Sequence, residues 1–361
     1  MATKKETRIA RLYAALMLSL ALAVGVGAYM TGQATYEAPP APPPALDIFA
    51  YNHEMVALAN YGTTSAATGI AATSTLWTAT SSSIWSPKNP WPVSAAYPRY
   101  GAILPFYRVV AYYGNFASTQ MGILGEYPPD IMLSKLESVA ADWQAADPST
   151  PVIPALDYIA VTAQKDPGPD RKYRLRMPES AIEEAISLAS SIHGIAFLDV
   201  QPGLSDLRTE LPLLEKYLAE PNVELAIDPE FSMKDGAPPG TEIGTFSAAD
   251  INYAASFLAG IVDAHGLPPK ILVVHRFTPD MLTDYKDVKP LPEVEIVVNM
   301  DGWSTPERKT NIYGEVVKGE PIQFAGIKLF YKNDVRPPSP GLMTPAQILG
   351  LKPTPIFIEY Q

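Results

Sequence analysis

The chain has 361 residues, with 27 Lys and Arg against 38 Asp and Glu, a net charge of −11 and no cysteine. That balance argues against nucleic acid as a partner, which needs a basic surface, and suits neutral or cationic ligands. The missing cysteines exclude disulfides, thiolate nucleophiles, cysteine-ligated metals and a lipidated N-terminal cysteine.

Lys4, Lys5, Arg8 and Arg11 precede an uncharged apolar run, Leu12–Met30. This is the pattern of an export signal or signal anchor. At about 19 residues the run is long enough to span a bilayer, with the basic flank left in the cytoplasm. Small residues near Ala28 and Ala34 permit cleavage. Residues 1–34 are therefore expected to be a signal peptide or signal anchor, and the protein to be extracellular or in the cell envelope, tethered through residues 12–30 where they are retained. Residues 35–98 read as a linker. Ala38–Ala45 is a stiff Pro-rich spacer, and Gly62–Ser83 is rich in Ser, Thr and Ala. Trp77, Trp85 and Trp91 either pack locally or form a carbohydrate-stacking surface. Leu46–Asn60 is expected to form a short helix that docks on the domain that follows.

Residues 99–361 form the folded domain. Eight apolar runs recur there: Arg108–Tyr113, Val152–Asp157, Ile195–Gln201, Val223–Glu230, Ile271–Phe277, Val294–Asp301, Ile327–Tyr331 and Ile356–Tyr360. Helical periodicity separates most of them, over Pro129–Trp143, Pro178–Ile192, Asp206–Leu218, Ala248–Ala264, Pro279–Tyr285, Pro306–Val317 and Thr344–Leu349. Ser247 with Asp250 three residues on, and Gly266 after the end, mark the fourth of these helices. Alternating strands and helices imply a parallel sheet, and eight units imply a closed (β/α)8 TIM barrel. Gln361 directly follows the eighth run, so either Leu46–Asn60 or nothing fills the eighth helix position.

Barrel active sites lie at the C-terminal ends of the strands, where this chain places its polar residues. Residues two apart share a face of a strand. Asp228 and Glu230 therefore pair at the end of the fourth run, and Asp199 and Gln201 at the end of the third. Asp157 ends the second and His275 lies near the end of the fifth. Asn299 and Asp301 end the sixth before Gly302-Trp303, and Lys328 and Tyr331 lie on the seventh. Tyr112, or else Tyr113, ends the first. Converging carboxyls are costly unless they pair, protonate or hold a ligand. Two carboxyls flanking a sugar bond are the minimum for glycoside hydrolysis. Glu230 is the candidate acid and Asp228 its orienting partner, with Asp199 and Asp301 candidates for base, nucleophile or oxocarbenium stabiliser. Tyr112, Tyr113, Trp303 and Tyr331 are candidate aromatic walls, and Asp157, Gln201, His275 and Lys328 further binding residues. Two loops border the mouth. Lys165–Arg176 is basic and reads as a solvated mouth loop that could also neutralise the rim or grip an anionic group, and Phe231–Thr245, rich in Gly and Pro, could shape or cover the site.

Asp228-Pro229-Glu230 resembles the closing D-x-E of the chitinase-like family 18 glycoside hydrolases, and a D-x-E also marks the lysozyme-like family 25 barrels. Two earlier aspartates of the family 18 signature fall on Val223 and Ala226. From about residue 107 the chain also resembles uncharacterised bacterial cell-envelope barrel proteins, through runs such as Leu198–Gly203, Asp228–Phe231 and Asn299–Trp303. That resemblance implies an exported barrel but supplies no reaction; the converging carboxyls give the expectation of a glycoside hydrolase-like enzyme working without a cofactor on a polysaccharide or other glycan. The protein is expected to be a monomer. Two alternatives stay open. One is a divalent-metal enzyme built on Asp199, Asp228 or Glu230, and His275, with Lys328 as base; the other is a barrel that binds a glycan or protein without catalysis. Gly-x-Ser-x-Gly, P-loop and G-x-G-x-x-G motifs are absent.

Overall fold

The computed structural model describes residues 45–60 and 91–361. The expected membrane-directed segment 12–30, most of the linker, Trp77 and Trp85 lie outside the described residues. Among the described residues no helix is long and apolar enough to cross a membrane.

Eight strands form the barrel: β1 (Arg108–Gly114), β2 (Val152–Ala163), β3 (Ile195–Val200), β4 (Val223–Ile227), β5 (Lys270–Arg276), β6 (Val294–Met300), β7 (Phe324–Leu329) and β8 (Phe357–Tyr360). Each pairs in parallel with the next, and β8 returns to β1 through Val109 opposite Phe357, so the sheet closes. Every apolar run of the sequence supplies one strand. The runs are continuous because both faces are buried. Val109, Ala111, Phe197, Val273 and Phe357 fill the barrel interior, while Val110, Leu198, Leu225, Val274 and Ile358 belong to the layer shared with the helices.

The ends differ from expectation in informative ways. β2 runs on to Ala163, where it pairs antiparallel with Arg174–Arg176. β4 stops at Ile227, because Asp228 caps a 3-10 turn, Pro229–Phe231. Pro229 has no N–H to give to a strand ladder. The period of two therefore does not extend to Glu230.

The helices are α1 (Ile48–Ala59), α2 (Pro129–Ala146), α3 (Glu179–Ser191), α4 (Ala248–His265), α5 (Pro306–Tyr313) and α6 (Pro345–Leu349). α4 carries its expected caps: the Ser247 N–H donates to Asp250 at 2.8 Å, and Gly266 adopts φ 62°. Asp206–Leu218 is not one helix but three short turns. Pro212 removes a helical donor in its middle, yet Leu207, Leu211, Leu214 and Leu218 stay buried. Pro279–Tyr285 is not a helix either. The buried Arg276 guanidinium donates to the carbonyls of Thr278, Pro279 and Leu282, groups that a helix would use internally.

α1 does not take the eighth outer position. Its Tyr51, Met55, Leu58 and Ala59 join the interior cluster, and Tyr51 lies edge-on to Phe106, just before β1. Leu58 accepts a hydrogen bond from Thr354 N–H at 2.7 Å. The helix thus covers the N-terminal pole of the barrel, the end opposite the polar strand ends. Trp91, 2 % exposed, packs in the same cluster.

Candidate active site

The apolar interior gives way to a polar layer at the C-terminal ends. Strand register explains the neighbours: Tyr113 is opposite Asp157, His275 opposite Asn299, and Lys328 opposite Glu359. Above this layer opens a cavity of about 700 Å³. Asp228, Glu230, Asp301 and Lys328 reach it, as do Gln201 and Tyr113. Phe231, Phe277, Trp303 and Phe330 provide aromatic walls.

Asp228 is nearly buried and held from two sides. Its Oδ1 accepts the Glu230 N–H at 3.0 Å, and Gln201 Nε2 approaches Oδ2 at 3.5 Å. Gln201 is itself fixed, accepting the Ala163 N–H at 3.1 Å and donating to the Tyr113 hydroxyl at 3.0 Å. The loop after β4 folds back to donate its Gly244 N–H to the Glu230 carbonyl at 2.7 Å. A Cβ at Gly244 would lie 2.6 Å from the Pro229 carbonyl oxygen, so the close return requires glycine. The Glu230 backbone is thus held while its half-buried side chain faces the cavity.

Asp199 and Asp157 take a different place. Both are 0 % exposed and lie below the cavity floor. The Tyr113 hydroxyl donates to Asp199 Oδ2 at 2.9 Å. His275 is equally buried, with Nδ1 3.4 Å from Asn299 Nδ2, 3.5 Å from Asp301 and 3.8 Å from Glu359. Lys328 lies 3.2 Å from Glu359 Oε2, and its ammonium sits over the Tyr113 ring, 3.2 Å from the centroid. Asn299 also donates to Glu359 at 3.0 Å.

Burial dominates the ionisation of this layer. It pushes Asp199 up to about 7 and Asp301 up to about 8, against the pull of Lys328. Asp157 and Asp228 are raised well above the carboxylate range by burial and by neighbouring carboxyls, and burial also raises Glu230. His275 is lowered by burial to about 4, so its imidazole is neutral at neutral pH. Burial also opposes ionisation of Glu359, but the Lys328 ammonium, aided by the hydrogen bond with Asp157, outweighs it and holds that carboxyl below its ordinary value. The charge-bearing pair of the layer is therefore Glu359 with Lys328.

Among the described residues, the metal-type donors that come within 4.8 Å of one another are Asp157, His275 and Glu359. The set anticipated from sequence, Asp199 and Asp228 or Glu230 with His275, does not form such a group. Tyr112 and Tyr331 also fall elsewhere. Tyr112 faces the helices, since the alternation that turns Val109, Ala111 and Tyr113 inward turns it out. Their hydroxyls are 3.4 Å apart beside a second cavity of about 420 Å³ that Glu126 and Tyr127 also line. Trp303 stands at the main mouth, 57 % exposed. The basic loop is not a free cationic grip. Arg174 and Arg176 donate to the fully buried Glu210 at 2.9 and 2.7 Å.

Several site residues escaped the sequence reading. Glu359 had a signal: it is a charge two residues after Phe357 in an otherwise apolar strand, on the same inward face. Phe277 and Phe330 sat unremarked near the ends of their runs. Lys309 on α5 and Asp334 in the segment after β7, paired at 3.0 Å, carry no local signal.

Fold and site together define a (β/α)8 barrel with a carboxyl-rich, aromatic-walled mouth. No family model matches the chain, and no curated protein matches it. Two solved structures are similar to it in outline. GH26C from Muricauda sp. shares 10% identity over 74% of this chain and 76% of that one, with a TM-score of 0.28. The cellulose synthase subunit Z of Clostridioides difficile shares 9% identity over 70% and 91%, with a TM-score of 0.32.

Proposed function

We propose that the protein is a glycoside hydrolase acting on a cell-wall or extracellular polysaccharide, exported and tethered through its N-terminal segment. One observation carries the reading: Asp228, Glu230 and Asp301 open into a single cavity walled by Phe231, Phe277, Trp303 and Phe330. Carboxyls are the chemistry that cleaves a glycosidic bond, and aromatic faces with polar neighbours are what a sugar ring packs against. The cavity volume is in the range of small-molecule sites. Glu230 and Asp301, from the ends of β4 and β6, are the reacting pair. One protonates the leaving oxygen while the other, ionised, works on the anomeric carbon directly or through water. Asp228 is a positioning residue, acting through the Glu230 backbone. Asp199 lies too deep to touch substrate and supports the floor through Tyr113. Export rests on the sequence of residues 1–34.

The test is turnover of a polysaccharide panel by the full chain, with Glu230→Gln and Asp301→Asn beside it. Each variant should lose at least about 100-fold in rate. An aryl glycoside with a good leaving group should rescue whichever variant lacks the acid, because that substrate no longer needs the proton. Binding without turnover by the wild type would overturn hydrolysis, as would full activity in both variants.

A further inference from the structure

Beneath the cavity, three donors from three different strands face one another. Asp157 comes from β2, His275 from β5 and Glu359 from β8, and each is 0 % exposed. One ligand atom of each lies within 4.8 Å of the other two. Without an ion, Asp157 and Glu359 can meet only by sharing a proton with each other; no other group donates to either Asp157 oxygen or to Glu359 Oε1, and His275 Nε2 has no partner. Buried polar atoms are almost always satisfied, and leaving carboxyl oxygens without donors is costly. The protein's own cation accounts for only part of this demand. Lys328 pairs with Glu359 Oε2 and turns its remaining face to the Tyr113 ring.

We propose that Asp157, His275 and Glu359 form a buried site for one divalent metal ion of the borderline class represented by zinc and manganese. The donor chemistry selects that class. Calcium and magnesium favour all-oxygen shells, and copper(I) and iron–sulfur clusters favour thiolates, of which the chain has none. One imidazole with two carboxylates suits zinc or manganese. Asn299 is placed as an outer partner, donating to Glu359 and lying beside His275 Nδ1. Such contacts orient metal ligands. The second, fifth and eighth strands are spread around the ring, so an ion held by all three cross-links the barrel below its mouth. Lys328 and the ion compete for Glu359, which makes the lysine a brake on affinity. The site is independent of the hydrolase reading, because none of its donors lines the cavity.

The experiment loads the full chain, stripped with chelator, with Zn²⁺, Mn²⁺, Mg²⁺ or Ca²⁺ alone. It measures metal per chain after dialysis, affinity by competition, and the thermal midpoint. One Zn²⁺ or Mn²⁺ per chain with a raised midpoint is expected, with little uptake of Ca²⁺. Glu359→Gln and His275→Gln should each weaken binding by at least about tenfold. Lys328→Met keeps all three donors and should strengthen it. Substoichiometric uptake by the wild type overturns the proposal, as does affinity unchanged in the ligand variants. Where a ligand variant does not fold, Lys328→Met decides: unchanged or weaker binding overturns the proposal. Metal content is read without turnover, so absence of glycosidase activity leaves this result standing.

Discussion

Lys309, on α5, and Asp334, after β7, are buried and tie together the segments that shape one side of the mouth. The Lys309 ammonium is 3.0 Å from Asp334 Oδ2 and donates to the Gly302 carbonyl at 2.8 Å. Asp334 also accepts the Ser304 N–H at 2.8 Å and the Phe330 N–H at 2.9 Å. Gly302, Ser304 and Phe330 all line the cavity. The two halves of this clip are unequal. Asp334→Ala strands a buried ammonium and leaves two backbone N–H groups without acceptors, which should cost about 3–5 kcal/mol. Lys309→Met keeps the aliphatic stem, and the carboxylate retains its two backbone donors, so about 1–3 kcal/mol is expected. The double variant has no stranded ammonium and should fall short of the sum by about 1–3 kcal/mol. Urea denaturation at pH 7 of all four proteins measures the cycle. Additivity within about 0.5 kcal/mol would refute the reasoning, as would a larger loss from Lys309→Met than from Asp334→Ala. A weaker KM on any turned-over glycan, in step with the stability loss, would tie the clip to the mouth.

Trp303→Ala should weaken glycan affinity by about 5- to 10-fold through loss of an aromatic wall. It should leave the thermal midpoint nearly unchanged, because the ring is more exposed than buried; calorimetric titration with equal affinity for both proteins would remove Trp303 from the site. Asp199 bears on stability against pH. Its folded value of about 7 lies above the unfolded 3.8, so the unfolded chain ionises first as pH rises. The contribution of this group should fall between about pH 4 and pH 7, by up to about 4 kcal/mol, and level off above, while Asp301, Asp157 and Asp228 carry the decline of the whole protein further. Asp199→Asn should flatten that part of the denaturation profile, and an unaltered slope would contradict the assignment. Glu210 has the opposite sign. Burial works against its ionisation, but Arg176, Ser205 and Arg174 prevail and hold it below its ordinary value. Its contribution is present above the unfolded value and lost as pH falls through the folded one, so Glu210→Gln should destabilise at pH 7 and progressively less as the pH is lowered through the acid range.

The barrel was legible because its information is local. A strand buried on both faces shows itself as an unbroken apolar run, as in Ile271–Phe277, and a helix as periodicity with caps, as in Ser247–Gly266. Eight such alternations leave few topologies. Polar residues at the ends of those runs marked the mouth for the same reason, and Asp228, Glu230, Asp301, Lys328 and Gln201 do meet there. Reading failed where a local pattern was overruled from a distance. The Pro279–Tyr285 stretch looked helical until the Arg276 guanidinium took up its carbonyls.

Depth within the barrel was not legible at all. Asp199 and Asp301 look alike in the chain, each a carboxyl near the end of an apolar run, yet one lies beneath the floor and the other lines the cavity. How far a strand end stands above the floor depends on the stagger of its neighbours, which no single strand encodes. The same holds for the pairings that set charge. Lys328 meets Glu359, and Lys309 meets Asp334, only because the ring closes and its loops pack side by side. The amino-acid sequence alone determined where the eight strands and the long, capped helices lie and which polar groups stand near the C-terminal strand ends. Tertiary structure decided which of those groups are solvated, paired or buried, because burial and Coulomb interaction depend on distances between segments far apart in the chain.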